Sequence, residues 1–213
     1  VSIYKDSETV DLGTLINEKI EIGTTAKDEG TDSHMGQIEK YVYIKDTVKY
    51  SGLTKGKEYK LVGSLIDKDT ESAIKVNGKA VIVEKEFTPK HSSGEVEVEF
   101  KLPGETVRGK SVVVFEELYL EDMKIAMHAD IKDEGQTVYY PDIKTLAKDS
   151  ETSVGVSNAD SKIMIVDTVS YSGLMPNKEY TLVGKLMDKA TNKPLIVDGK
   201  EVIAMTDFTP QKS

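Results

Sequence analysis

The chain has 213 residues, 38% hydrophobic and 31% charged, with a formal net charge of −9 and no cysteine. The length suits one large domain or two small ones. The absence of cysteine excludes a disulfide, a thiol nucleophile and a cysteine-based structural zinc site. No run approaches the ~18 apolar residues of a membrane-spanning helix, and Lys and Arg are interspersed with Asp and Glu, leaving no basic stripe for nucleic acid or an anionic membrane. The acidic balance favours solubility.

Sliding the sequence by about 121 residues aligns Ile22–Ser92 with Ile143–Ser213 without a gap, and roughly 33 of about 71 positions are identical. Asp46-Thr47-Val48 matches Asp167-Thr168-Val169, Tyr50-Ser51-Gly52-Leu53 matches Tyr171-Ser172-Gly173-Leu174, and Leu61-Val62-Gly63 matches Leu182-Val183-Gly184. A period this long is a repeated domain rather than a solenoid unit. The expected organisation is a leader or upstream tail at 1–21, a complete domain at 22–142, and the N-terminal part of a second, incomplete copy at 143–213. Signal peptide and anchor are expected outside this chain.

In chain order, Val10–Ile20 comes closest to a helical period, and it lies outside the repeat. From there on the pattern alternates. Strands are expected at Tyr41–Tyr50, Glu58–Leu65, Ala80–Phe87, Glu95–Leu102, Ser111–Leu120 and Lys124–Ile131, separated by glycine-containing turns. Seven or more short strands in about 120 residues predict an all-β chain of tandem immunoglobulin-like sandwiches, the second truncated. The connection Tyr139-Tyr140-Pro141-Asp142 is short and holds a proline, so successive copies should be coupled stiffly.

Several polar residues break the alternation. Ile22, Thr24 and Ala26 share a face, as do Ile143, Thr145 and Ala147; a buried threonine is by itself an ordinary strand former. Asp46 falls on the apolar face of Val42, Ile44, Val48 and Tyr50, and Asp167 falls likewise among Ile163, Ile165, Val169 and Tyr171. An inward carboxylate costs several kcal/mol unless it is paired or protonated; a strand-end Asp bonding to a turn is the simpler alternative. Glu116 shares a face with Val112, Val114 and Leu118. His34 and His91 fall in predicted turns and read as surface residues, whereas His128 falls in a strand. With no second strand-borne histidine, a metal site is disfavoured and no cofactor is expected.

Together these segments resemble a known family. Val113-Val114-Phe115-Glu116-Glu117-Leu118-Tyr119, followed by His128-Ala129-Asp130-Ile131-Lys132-Asp133-Glu134-Gly135-Gln136-Thr137-Val138, is similar to the VaFE repeat, the Thr–Gln ester-bond domain of Gram-positive surface adhesins. The openings Ile22-Gly23-Thr24-Thr25-Ala26-Lys27-Asp28 and Ile143-Lys144-Thr145-Leu146-Ala147-Lys148-Asp149 look like the start of such repeats. The resemblance implies an immunoglobulin-like domain with an autocatalytic ester between Thr24 and Gln136. It further implies His128 as general acid/base and Asp46 and Glu116 as buried acids. Val114 stands where the family's name has Ala, and the second copy keeps Thr145 and Asp167 but no Glu, His or Gln partner.

The chemistry this implies is demanding. A threonine hydroxyl is a poor nucleophile and a carboxamide a poor electrophile; holding them together can supply on the order of 7–11 kcal/mol against the barrier. Histidine is the side-chain type suited to carrying the proton. Two close carboxyls cannot easily both ionise, so one should remain a neutral acid able to polarise the Gln carbonyl. The expected role is a structural stalk module of a cell-wall-anchored extracellular adhesin. Its partners are neighbouring repeats of the same polypeptide and, for the full adhesin, a host ligand. The reaction happens once per molecule, so this is not an enzyme in the turnover sense. The competing readings are a ligand-binding adhesin domain, with Tyr41 and Tyr43 as a patch, and an enzyme using Asp46, Glu116 and His128 on an external substrate.

Overall fold

The computed structural model describes residues 19–158 and 162–213. The expected leader therefore lies outside the described residues except for its last three positions, as does nearly all of Val10–Ile20.

The first copy is all-β. Its strands are β1 (Glu21–Asp28), β2 (Tyr41–Ser51), β3 (Tyr59–Asp67), the short β4 (Ser72–Ala73), β5 (Lys75–Val76) and β6 (Lys79–Ala80), then β7 (Ile82–Phe87), β8 (Gly94–Pro103), β9 (Lys110–Leu120), β10 (Met123–His128) and β11 (Thr137–Tyr140). One sheet has the order β1-β2-β8; the other runs β10-β9-β3-β4, with β7 also on β3 and β11 also on β9. All the pairings are antiparallel.

Sequence alternation becomes burial. Val42, Ile44, Val48 and Tyr50 of β2, Tyr59, Leu61 and Leu65 of β3, Val98, Phe100 and Leu102 of β8, and Val112, Val114 and Leu118 of β9 fill the space between the sheets. Each such side chain contributes on the order of 1.5–3 kcal/mol when fully buried. The exposed faces carry charge, as in Glu95, Glu97, Glu99 and Lys101 of β8. Tyr41 and Tyr43 lie on the outer face of β2, a central strand, with the Lys101 ammonium 5.2 Å over both rings.

The carboxyl end of the domain departs from the expected pattern. The strand expected to run to Ile131 stops at His128, because Asp130 turns the chain: its side chain accepts from the Lys132 amide at 2.9 Å and its carbonyl accepts from the Asp133 amide at 3.1 Å. β10 pairs with Glu116–Leu120 and β11 with Lys110–Val113, so both lie end to end along the edge of β9 away from β3. Between them the chain makes an excursion that ends in a single 3-10 turn, Glu134–Gln136.

The other side of β11 is tied down by the loop after β1. The Tyr139 amide donates to the His34 carbonyl at 2.7 Å, the Gly36 amide donates to the Tyr139 carbonyl at 2.8 Å, and His34 Nδ1 lies 3.0 Å from the Thr137 carbonyl. His34 is consequently half-buried and part of this joint, not the plain surface residue its turn position suggests.

The second copy repeats the first strand pairs. β12 (Asp142–Asp149) pairs with β13 (Ile165–Ser172), placing Thr145 opposite Val169 and Ala147 opposite Asp167. Thr24 opposes Val48 and Ala26 opposes Asp46 in the same register. β14 (Tyr180–Lys185) pairs with Ile203–Phe208, as β3 pairs with β7. Without counterparts of β8–β11 in the given sequence, side chains matching core residues of the first copy stay exposed in the second, among them Ile165 and Tyr171, which match Ile44 and Tyr50.

The copies meet at Pro141. The Gly109 amide donates to the Tyr140 carbonyl at 2.8 Å. Both Gly109 and Gly173 have positive φ, and a Cβ on Gly173 would lie 2.5 Å from that carbonyl oxygen. No side chain fits at this joint.

Candidate functional site

Asp46 sits mid-strand in the central strand of its sheet, with Ala26 as neighbour on one side and Val98 on the other. It is fully buried, so a strand-end turn residue is not what the fold makes of it. Glu116 is equally buried in the facing sheet, between Gly63 on β3 and His128 on β10. Gly63 makes that position possible: a Cβ there would lie 2.4 Å from Glu116 Oε1 and 2.5 Å from Phe100 Cζ.

Gln136 is the last residue of the 3-10 turn and is fully buried; its Nε2 donates to Asp46 Oδ1 at 3.3 Å. The turn packs against β1. Further along, the Tyr140 hydroxyl donates to the buried Asp28 carboxylate at 2.9 Å. The first strand and the last segment therefore lie beside one another. Thr24 is half-buried, with its Oγ1 sealed from solvent.

The polar inventory marks the same place. Among the described residues, six sealed side-chain oxygens or nitrogens lack a hydrogen-bond partner: Thr24 Oγ1, Asp46 Oδ2, Glu116 Oε1 and Oε2, Gln136 Oε1 and Ser111 Oγ. Five of the six belong to the four residues just described. Buried polar atoms are normally satisfied, and a local concentration of exceptions points to chemistry or a missing proton. Two carboxylates facing one another can only accept; a proton between them supplies the missing donor.

Electrostatics agree. Burial, reinforced by the neighbouring Asp46, pushes the Glu116 carboxyl up to about 9. Burial also raises Asp46, to about 7, held back by hydrogen bonding with Glu116 and by the nearby His128. Glu116 is therefore the neutral acid at pH 7 and Asp46 the group nearer to ionising.

His128 closes β10 beside this cluster, about a quarter exposed, with Nε2 2.7 Å from Asp133 Oδ2. Three of the sequence-predicted residues, Asp46, Glu116 and Gln136, converge between the sheets with His128 beside them, and Thr24 lies on β1, the strand against which the turn carrying Gln136 packs. Thr145 and Asp167 are exposed on their strand pair and meet no such group. Among the described residues no three His, Asp or Glu side chains are grouped to hold a metal ion. Two residues escaped the sequence reading. Gly63 had a signal, a mid-strand glycine repeated as Gly184; Asp133 had none beyond its place in the His128–Gln136 segment.

Fold and site together define a two-sheet β-sandwich domain with buried, unpartnered polar side chains enclosed between its sheets. The chain belongs to the family of T-Q ester bond containing domains, whose model matches residues 20–140 and again 141–213. Among solved structures it is similar to a bacterial adhesin from Mobiluncus mulieris containing intramolecular disulfide, isopeptide and ester bond cross-links. That protein is matched in space group P1 (13% identity, TM-score 0.52, 91% of this chain and 95% of that one) and in space group P21 (14% identity, TM-score 0.52, 92% and 100%). At this identity the likeness speaks for the fold. No curated protein matches the chain.

Proposed function

We propose that this chain is a structural module of an extracellular, cell-wall-anchored adhesin stalk, and that its first domain fastens itself by an ester between Thr24 and Gln136. The observation that carries this reading is the sealed set of unpartnered atoms on Thr24, Asp46, Glu116 and Gln136, with Gln136 bonded to Asp46. The family membership and the cross-linked adhesin of similar fold support the same reading.

The steps balance within the domain. Thr24 Oγ attacks the Gln136 amide carbon while His128 takes the hydroxyl proton. Charge developing on Gln136 Oε1 is met by a hydrogen bond from the protonated Glu116 carboxyl, a donor worth most in a water-excluded site. Asp46, already accepting from Nε2, steadies the departing nitrogen. The C–N bond breaks, His128 returns the proton, and ammonia leaves. One Oγ–C bond replaces one C–N bond. Water exclusion then protects the ester from hydrolysis.

Burial of the reacting atoms favours an internal reaction over an external substrate, and hence a structural role without turnover. Intact mass tests it: the folded chain should weigh about 17 Da less than its sequence, one ammonia, and Thr24→Ala should restore the full mass. An unshifted mass in folded wild-type chain overturns the ester.

A further inference from the structure

We propose that Tyr140 and Asp28 are positioning residues for the cross-link, a clasp that holds β1 against the last segment so that Thr24 and Gln136 can meet. This rests on the ester reading above and deepens it.

β1 and β11 are edge strands of different sheets and are not paired with one another. What joins them is the Tyr140 hydroxyl, which donates to Asp28 Oδ2 at 2.9 Å, with both residues buried. Burial and the adjoining carboxylate raise the phenol well above the ordinary tyrosine range, so it stays a donor. Gln136 Nε2 reaches Asp46, the strand neighbour of Ala26. The last segment thus meets β1 at two levels, Ala26 and Asp28, and Thr24 lies on the same inner face as both.

The second copy separates this bond from the turn that follows the strand. Asp149 stands where Asp28 does, and its Oδ1 accepts from the Thr152 amide at 2.9 Å, as Asp28 Oδ1 does from the Thr31 amide at 3.0 Å. That oxygen shapes the turn in both copies. Oδ2 behaves differently. In the second copy it accepts from the Ser157 hydroxyl at 2.7 Å, and Ser157 stands where the first copy has Gly36. A Cβ on Gly36 would overlap the Tyr140 ring. The first copy therefore lacks the side chain that would satisfy Asp28 locally, and both the space and the oxygen go to Tyr140.

Tyr140→Phe keeps the ring and removes the bond. A misplacement of about 1 Å can cost about 10²-fold in rate, so Y140F should slow cross-linking by at least ~10-fold. The test follows ammonia loss by intact mass in the full 213-residue chain, sampled during cell-free synthesis, for wild type, Y140F, D28A, their double variant and Leu53→Ala. Y140F and D28A should be slow and the pair no slower than D28A, because one bond is lost in each. Leu53→Ala removes core packing away from the clasp and should react at wild-type speed. In the H128A chain, which keeps both reacting side chains, proton NMR should find the Thr24 methyl close to the Gln136 side-chain amide. Adding Y140F should abolish that proximity. Wild-type speed in Y140F, an equal slowing in Leu53→Ala, or an unchanged proximity overturns the proposal. A wild-type chain that never loses ammonia overturns the ester itself, and the NMR comparison then still decides the clasp.

Discussion

Asp46 and Glu116 make the uncross-linked domain sensitive to pH. Their ordinary values lie near 4, and burial raises them in the folded chain to about 7 and about 9. The folded state thus holds protons that the unfolded chain has released, and stability declines wherever the native state binds more protons. The stabilisation is fully present below about pH 4 and is lost as pH rises through about 7 and then about 9. In the Thr24→Ala chain the melting temperature should fall steadily between pH 5 and pH 9, and Glu116→Gln in that background should flatten the upper part of the decline. A melting temperature that rises over this range would mean that the fold holds the two carboxyls below their ordinary values instead of above them. The same protons serve the chemistry: Glu116→Gln should slow ammonia loss, since an amide is a weaker donor than a carboxylic acid.

At the scale of single strands, the site depends on two irregularities. Gly63 removes a side chain from β3 so that Glu116 and Phe100 can fill the space, since an ideal Cβ there would overlap the Glu116 oxygen at 2.4 Å. Gly63→Ala should destabilise the domain by about 1–3 kcal/mol, as overpacking does. A lowered urea midpoint at constant slope in the Thr24→Ala background checks this, and cross-linking should slow as Glu116 is displaced. The second irregularity is the break between β10 and β11. Periodicity locates both halves of this edge, but the stop at His128 comes from hydrogen bonds made by Asp130, which alternation of apolar residues does not encode. That break lets Asp133 turn back onto His128. A uniform strand to Ile131 would have carried the chain past it.

For the molecule as a whole, the proposed ester would join the first strand to the segment leading into the last, and those two already lie side by side through the Asp28–Tyr140 bond. Force applied along the chain enters through β1 and leaves through β11, so the load falls on strand contacts that the ester bypasses. The closed loop spans about 112 residues, worth roughly 4–5 kcal/mol in the chain-entropy account of cross-links. Thr24→Ala should accordingly lower the melting temperature by on the order of 10–20 °C. It should also turn a domain that resists extension in single-molecule pulling into one that unfolds. The second copy, with Thr145 and Asp167 exposed in this chain, should show no ammonia loss of its own: a total loss near 34 Da, about two ammonias, would contradict that.

The amino-acid sequence by itself determined the repeat and the all-β class, and through a family resemblance it nominated five candidate site residues. These are written in local patterns: self-similarity, alternation, and polar residues standing where apolar ones belong. Thr24, Asp46, Glu116, His128 and Gln136 could be named because each either breaks such a pattern or sits in a motif. Only the tertiary structure decided how they meet. The same strand pair carries Thr24 and Asp46 in the first copy and Thr145 and Asp167 in the second, yet it is sealed in one and exposed in the other. Burial, and with it the raised carboxyl values and the unpartnered oxygens, comes from the facing sheet. The close approach of Gly63 to Glu116 and the hydrogen bond between Asp133 and His128 likewise come from packing between residues that the sequence keeps far apart or leaves unremarkable.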